Sequence, residues 1–361
     1  MNSNTPARDM EATGRPVALW ESLPVFFRQA AEPIRRWLQN PDVIEICCNR
    51  PGEVWIEALN KPAMERFLVP ELDGDAVRRI AEHVAGATHQ SVNSTTPLLS
   101  AAMPHGERFQ GVLSPAAPAG GAFSIRKQVV ADLCLDDYLG FRAFDNVKVR
   151  GAHAAHLAEE WPDSELEVAR LLRDHTPQGL RNALAHAVQS HVTMVISGGT
   201  SSGKTTFLNA LLKEVPDTER VISIEDTREL QPPQPNWLSL LASKGDQGTS
   251  KVTIQDLLES SLRLRPDRLF LGEIRGAEAA TFLQAVNTGH PGSLTTLHAD
   301  STYSAFDRLA LMTLQSDLKL TKAEILEYVR SVVPMVVQLR RRPTRSVAEI
   351  YLRCYGQDKH K

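Results

Sequence analysis

The feature that most constrains this chain is the run Gly198-Gly199-Thr200-Ser201-Ser202-Gly203-Lys204-Thr205, which fits G-x-x-x-x-G-K-[ST] without a mismatch. An apolar run, Val192–Ser197, precedes it. An amphipathic stretch with Phe207, Leu208, Leu211, Leu212 and Val215 follows it. A strand–loop–helix unit of this composition is built around an anion. Its glycines let backbone N–H groups turn inward toward phosphate, and the helix N-terminus adds the positive end of a dipole. Lys204 is placed to bridge β- and γ-phosphates as a point charge, and Thr205 to offer its hydroxyl to Mg2+. Thr206 completes the loop residues expected at a nucleotide. ATP and Mg2+ are therefore the expected ligands.

The flanking pattern supports this reading. Further apolar runs at Arg220–Glu225, Arg268–Glu273, Ser293–Leu297 and Val332–Leu339 alternate with helical stretches. Two of those helices open on capping-box signals, Thr253-Ile-Gln-Asp and Thr321-Lys-Ala-Glu. Short, fully apolar strands separated by helices predict an α/β domain with a mainly parallel sheet covered on both faces. Pro334 inside the last run predicts an edge strand or a bulge there.

A length of 361 residues implies about two domains. Residues 1–16 read as a flexible arm, 17–130 as a smaller N-terminal α+β domain, 131–165 as a linker and 166–361 as the nucleotide-binding domain. Within the first domain, 42–57 and 63–69 read as strands turning at Asn49–Gly52, 75–88 as a helix, and 107–114 with 122–127 as a hairpin. Apolar residues recur at helical spacing over 19–39. That stripe suits a domain edge packing on its own core, and also a membrane surface or a partner.

A net charge of −3 gives no domain-wide basic excess, so direct nucleic-acid binding is not expected. The basic run Leu339–Arg345 reads as a solvated face. No stretch of 18 apolar residues occurs and the N-terminus has no apolar signal region, so a cytoplasmic chain is expected. Four cysteines without a C-x-x-C pair read as reduced thiols, with no metal centre.

Hydrolysis needs a carboxylate to orient water. Glu273 ends the run Leu269–Leu271, where α/β sheets place ligand residues. Gly272 stands where many such enzymes carry a magnesium-linked Asp, which leaves Glu273 as the principal acid, reaching the metal through water. Glu225, Asp226 and Glu229 end the preceding run and form a second acidic group. His290 and His298 flank the run Pro291–Leu297 at a spacing that is not a zinc pattern.

Four blocks thus stand in order: Gly198–Thr205, Ile224–Leu230, Leu271–Arg275 and Thr288–Ala299. Their order and spacing resemble the secretion, or traffic, ATPases, with a Walker A loop, an Asp box, a Walker B block and a His box. In the N-terminal half, Glu45–Glu57 (EICCNRPGEVWIE), Gly106-Glu-Arg-Phe-Gln110 and Phe123-Ser-Ile-Arg-Lys127 resemble the type IV secretion branch, the eleventh component of VirB-type machines. The resemblance implies a RecA-like C-terminal domain and a homo-hexameric ring, peripheral to the inner membrane and in contact with other secretion components. It implies ATP hydrolysis coupled to export. It assigns the catalytic centre to Glu273, Lys204, Glu225, Glu229, His298, His290 and Arg275, the histidines acting as sensors of phosphate. It also assigns Arg108 and Arg126 to the phosphates, a role that suits a guanidinium fork. Type II secretion and type IV pilus ATPases share the four blocks, but this chain lacks the tetracysteine module that many assembly members carry. A nucleotide-dependent scaffold with little hydrolysis is the alternative.

Overall fold

The computed structural model describes residues 20–58, 61, 63–88, 90–103, 106–127, 132–151, 161–242, 252–316, 318–341 and 344–356. The arm expected at 1–16 lies outside these residues. The chain divides into two compact units, the described residues up to 127 forming the first and those from 132 on the second.

The first unit opens with α1 (Val25–Ala31), a 3-10 turn (Glu32–Ile34) and α2 (Arg35–Gln39). Strands β1 (Val43–Cys48), β2 (Glu53–Ala58) and β3 (Glu65–Leu68) follow, then α3 (Gly74–Ala87), and then β4 (Leu98–Ala102), β5 (Arg108–Val112) and β6 (Ala122–Arg126). The six strands pair antiparallel in the order β3-β2-β1-β6-β5-β4. Alternation along each strand sends Ile46, Val54, Ile56, Phe109 and Ile125 to one core, shared with Val77, Ile80 and Val84 of α3. Asp73 starts α3 by accepting a hydrogen bond from the Ala76 N–H at 2.7 Å. The apolar stripe at 19–39 is spent in the same core, because Trp20, Leu23, Phe27, Ile34 and Trp37 are all buried there. The stripe therefore packs inside the unit instead of presenting an apolar face to a membrane, although Val25 and Phe26 are exposed.

The second unit carries α4 (Leu135–Gly140), β7 (Lys148–Arg150), α5 (Asp163–Leu172), α6 (Pro177–Gln189), β8 (Met194–Gly198) and α7 (Lys204–Leu212). It continues with β9 (Val221–Glu225), β10 (Trp237–Leu241), α8 (Ile254–Ser261), β11 (Arg268–Leu271), α9 (Glu278–Asn287) and β12 (Leu294–Leu297). It ends with α10 (Thr302–Thr313), α11 (Lys322–Val332), β13 (Met335–Arg340) and β14 (Ser346–Leu352). The eight-stranded sheet has the order β10-β9-β11-β12-β8-β13-β14-β7, parallel throughout except for β13 with β14. Successive residues of β8 serve opposite faces. Met194 and Ile196 join a core with α5, α6 and α7, whereas Val195 joins one with α9, α10 and α11. Both faces are covered, as the apolar runs predicted.

Two expectations change. Pro334 precedes β13, which lies inside the sheet between β8 and β14, and the register irregularity falls at Gln338/Leu339. Before the strand the proline forfeits no ladder hydrogen bond, so it does not force an edge. The span 131–165, expected as a linker, contributes α4, β7 and the start of α5. Leu135 and Phe144 from it are buried in the second unit's core. Among the described residues no helix is long and apolar enough to cross a membrane.

Candidate nucleotide site

The parallel strands β8, β9, β11 and β12 end on one edge of the sheet, where α/β folds bind ligands. Each delivers one of the four sequence blocks. Beyond β8 the chain turns sharply: Ser201 has φ +58° and Gly203 φ +90°, left-handed values that a glycine adopts freely. Gly198 is packed against the loop and the neighbouring strand. A Cβ there would lie 2.5 Å from Ser202 Oγ and 3.0 Å from the Leu339 carbonyl oxygen. Thr205 and Thr206 sit half-buried in the first turn of α7, while Gly199 and Thr200 are exposed on the loop.

Lys204, buried at 9% exposure, donates to the carbonyls of Gly198 (3.0 Å) and Gly199 (3.2 Å). Its Nζ also lies 3.4 Å from His298 Nδ1. Nε2 of the same ring lies 3.5 Å from Lys204 Nζ and 2.9 Å from Glu273 Oε1. The contact with Glu273 is one of proximity, since Glu273 Oε1 makes no hydrogen bond, and both ring nitrogens face the Lys204 ammonium. Burial and the Lys204 ammonium hold the imidazole below its ordinary pKa, against the pull of Glu273.

Glu273 Oε2 accepts from Arg275 Nε (2.9 Å) and Nη2 (2.5 Å), and Arg275 Nη1 reaches Asp226 Oδ2 at 2.8 Å. Arg275 thus ties the acid ends of β9 and β11 together. Glu225 ends β9 at 2% exposure. Its Oε1 accepts from the backbone N–H groups of Glu229 (2.8 Å) and Leu230 (2.9 Å). Burial pushes its carboxyl up to about 7, a rise that those two N–H groups oppose.

A sequence model of the family described as "Type II/IV secretion system protein" matches residues 164–349. The chain belongs to that family. Among its relatives, the type IV secretion system protein VirB11 of Bartonella henselae is 35% identical over 330 residues, covering 89% of this chain and 91% of the relative. The PtlH homolog of Bordetella bronchiseptica is 37% identical over 337 residues, covering 91% and 94%. The Brucella suis VirB11 ATPase, solved with sulphate, is 34% identical at a TM-score of 0.50, covering 91% of this chain and 98% of that one. The pilus retraction motor PilT with ADP has a TM-score of 0.54 at 16% identity, over 92% of this chain and 84% of that one, a likeness of fold.

Within this secretion-family chain, not every expected residue reaches the loop. His290 precedes β12, and its Nδ1 faces the Pro266 carbonyl at 3.0 Å. In a parallel sheet that is the edge opposite Lys204, so His298 joins the site and His290 does not. Arg275 contacts carboxylates, not the phosphate loop. Arg108 and Arg126 lie in the first unit, directly opposite each other on β5 and β6, on the sheet face away from Phe109 and Ile125. Glu45 on β1 stands opposite Arg126.

Two residues were not anticipated. Arg345 donates from Nε to the Ser201 carbonyl at 3.4 Å, which brings the basic run after β13 onto the loop. Asn209, on α7, bonds the backbone beside Glu229 in both directions, and no motif marks it.

The residues fit a magnesium nucleotide. The buried Ser202 Oγ and Glu225 Oε2 have no hydrogen-bond partner, a condition that buried polar atoms rarely keep without a ligand or water. Thr205 and Glu273 carry the kind of oxygen atoms that would hold Mg2+. Among the described residues no group of three or more His, Cys, Asp and Glu is arranged to hold a metal.

Proposed function

We propose that the chain binds ATP with Mg2+ at 198–205 and couples its hydrolysis to export through a type IV secretion system. The chain is an ATPase of the type IV secretion branch. The observation that carries this reading is the meeting of Lys204, His298 and Glu273, side chains from three blocks far apart in sequence, at one sheet edge. Backbone N–H groups of the loop and Lys204 hold the phosphates. Glu273 orients the attacking water, with its carboxylate held by Arg275 and His298 beside it. Glu229 lines the acidic side. His298, beside Lys204 and Glu273, registers the state of the phosphate group. Bound Mg2+ would polarise the phosphate oxygens.

Arg108 and Arg126 supply a guanidinium pair suited to phosphate oxygens. The working assembly is a homo-hexamer that meets the inner membrane through other secretion components. The apolar stripe at 19–39 is not the main route, because Trp20, Leu23, Phe27, Ile34 and Trp37 are buried and only Val25 and Phe26 among its described large apolar side chains are exposed.

Steady-state phosphate release with ATP and Mg2+ tests the reading, run beside Lys204→Ala and Glu273→Gln. Turnover in the parent that both variants lose supports it. ATP binding without release would make the chain a nucleotide-dependent scaffold instead.

A further inference from the structure

Asn209 lies on α7, the helix that the phosphate loop opens, at 6% exposure. Its Nδ2 donates to the Glu229 carbonyl at 2.9 Å, and its Oδ1 accepts from the Gln231 N–H at 2.9 Å. From the other side, Glu225 Oε1 holds the N–H groups of Glu229 and Leu230. Residues 229–231 are thus gripped at four backbone groups by two buried side chains, one on the phosphate-loop helix and one at the end of β9. A mostly apolar helix face has no folding reason of its own to bury an amide, because an amide taken out of water costs free energy unless both its ends are paired. Here both ends are paired, one to Glu229 in the acidic box and the other to Gln231 directly after it.

We infer that Asn209 is a positioning residue for turnover, coupling the phosphate-loop helix to the acidic box so that the Glu229 carboxylate is set relative to the bound nucleotide. The inference rests on the reading of Glu229 as part of the hydrolytic site. A shift of α7 when phosphate enters the loop is passed to the backbone at the Glu229 carbonyl and the Gln231 N–H. Reciprocally, the box constrains the helix. The class of effect is a change in kcat at nearly constant nucleotide affinity, because Asn209 touches no phosphate-binding group.

The experiment compares the full-length parent, Asn209→Leu, Asn209→Asp, Glu229→Gln and the Asn209→Leu/Glu229→Gln double variant. It reads ATP affinity, kcat and thermal melting. Leu removes both bonds at similar volume. Asp keeps the acceptor for Gln231 but loses the donor to Glu229, so it serves if the Leu variant does not fold. The expected result is a fall in kcat of about tenfold or more, the scale of a lost buried hydrogen bond, with ATP affinity kept. The double variant is then no slower than Glu229→Gln alone, because both act through one element. Full turnover in folded Asn209 variants beside an impaired Glu229→Gln overturns the inference. So do losses that simply multiply in the double variant, since they describe a structural role alone. Full turnover in Glu229→Gln overturns the catalytic reading of the acidic box, and with it the inference.

Discussion

Glu225 fills the space that a side chain at Gly272 would need. A Cβ on residue 272 would lie 3.1 Å from Glu225 Cγ and 3.5 Å from its Oε1. Gly272 is the position at which many phosphate-loop enzymes carry an aspartate, and here a buried carboxylate arrives from the adjacent strand instead. Restoring the motif by Gly272→Asp is therefore expected to harm the protein. It overfills a packed site, at a cost of about 1–3 kcal/mol, and it sets a second carboxylate against Glu225. Urea unfolding of the parent, Gly272→Ala and Gly272→Asp checks this. The expected order of stability is parent, then Ala, then Asp, and an Asp variant as stable as the parent would refute it.

The same carboxylate makes stability depend on pH. Its pKa is about 7 in the folded chain against 4.5 for an ordinary glutamate, because burial penalises the charged form. A raised pKa means that the folded state binds the extra proton. Whatever Glu225 contributes is fully present below about 4.5 and is lost as pH rises toward about 7. The cost across that window is roughly 3 kcal/mol at 1.36 kcal/mol per pH unit. Unfolding free energies of the parent and Glu225→Gln, measured from pH 4.5 to 8, are expected to diverge in favour of Gln as pH rises. Parallel curves would show that Glu225 titrates normally.

The phosphate loop was legible because its chemistry is local: eight consecutive residues and their flanks specify turn, donors and helix. Glu273 was legible for a related reason, since it ends an apolar run and the ends of parallel strands gather on one edge. The histidines show the limit. His290 and His298 sit symmetrically about one strand, and only strand direction separates the end that meets Lys204 from the end that meets Pro266. Asn209 was invisible, because its partners lie 20 and 22 residues away and are brought to it by the packing of α7 beside the end of β9. Strand β10 was hidden by the proline-rich approach Gln231–Pro235, and its residues are half-exposed at the sheet edge, so no fully apolar run announced it.

Arg275 offers a test of position against motif. As a phosphate contact it would set ATP affinity, and its loss would weaken binding. The structure has it neutralising Glu273 and Asp226, whose side chains are only 17% and 16% exposed. Arg275→Ala leaves two half-buried carboxylates to repel each other, so Glu273 is no longer held in one orientation. The expected outcome is ATP affinity within about twofold of the parent and kcat lower by roughly 10- to 100-fold. Arg275→Lys recovers little, since an ammonium cannot span both carboxylates as a fork does. Isothermal titration with ATP in parallel with turnover distinguishes the two roles.

At the opposite edge of the sheet, Arg268 opens β11 with a side chain fully closed to solvent. Its Nη2 meets Glu219 Oε1 at 2.8 Å, Nε contacts Glu219 Oε2, and Nη1 contacts the Val188 carbonyl. His191 joins from the end of α6, with Nε2 3.3 Å from Glu219 Oε1. The pair pins the start of β11 to the loop before β9 and to the end of α6. Breaking one partner of such a pair leaves the other charge shielded from water, so Arg268→Ala should lower stability by about 3–5 kcal/mol. Removing both charges, in Arg268→Met with Glu219→Gln, should cost less than the single variant, because no charge is left uncompensated. Guanidinium unfolding of the parent, Arg268→Ala and the double variant measures this. ATP affinity of the folded fraction should be unchanged in all three, since the phosphate loop lies at the other end of the strands. A double variant less stable than Arg268→Ala would show that the pair stabilises beyond its own desolvation.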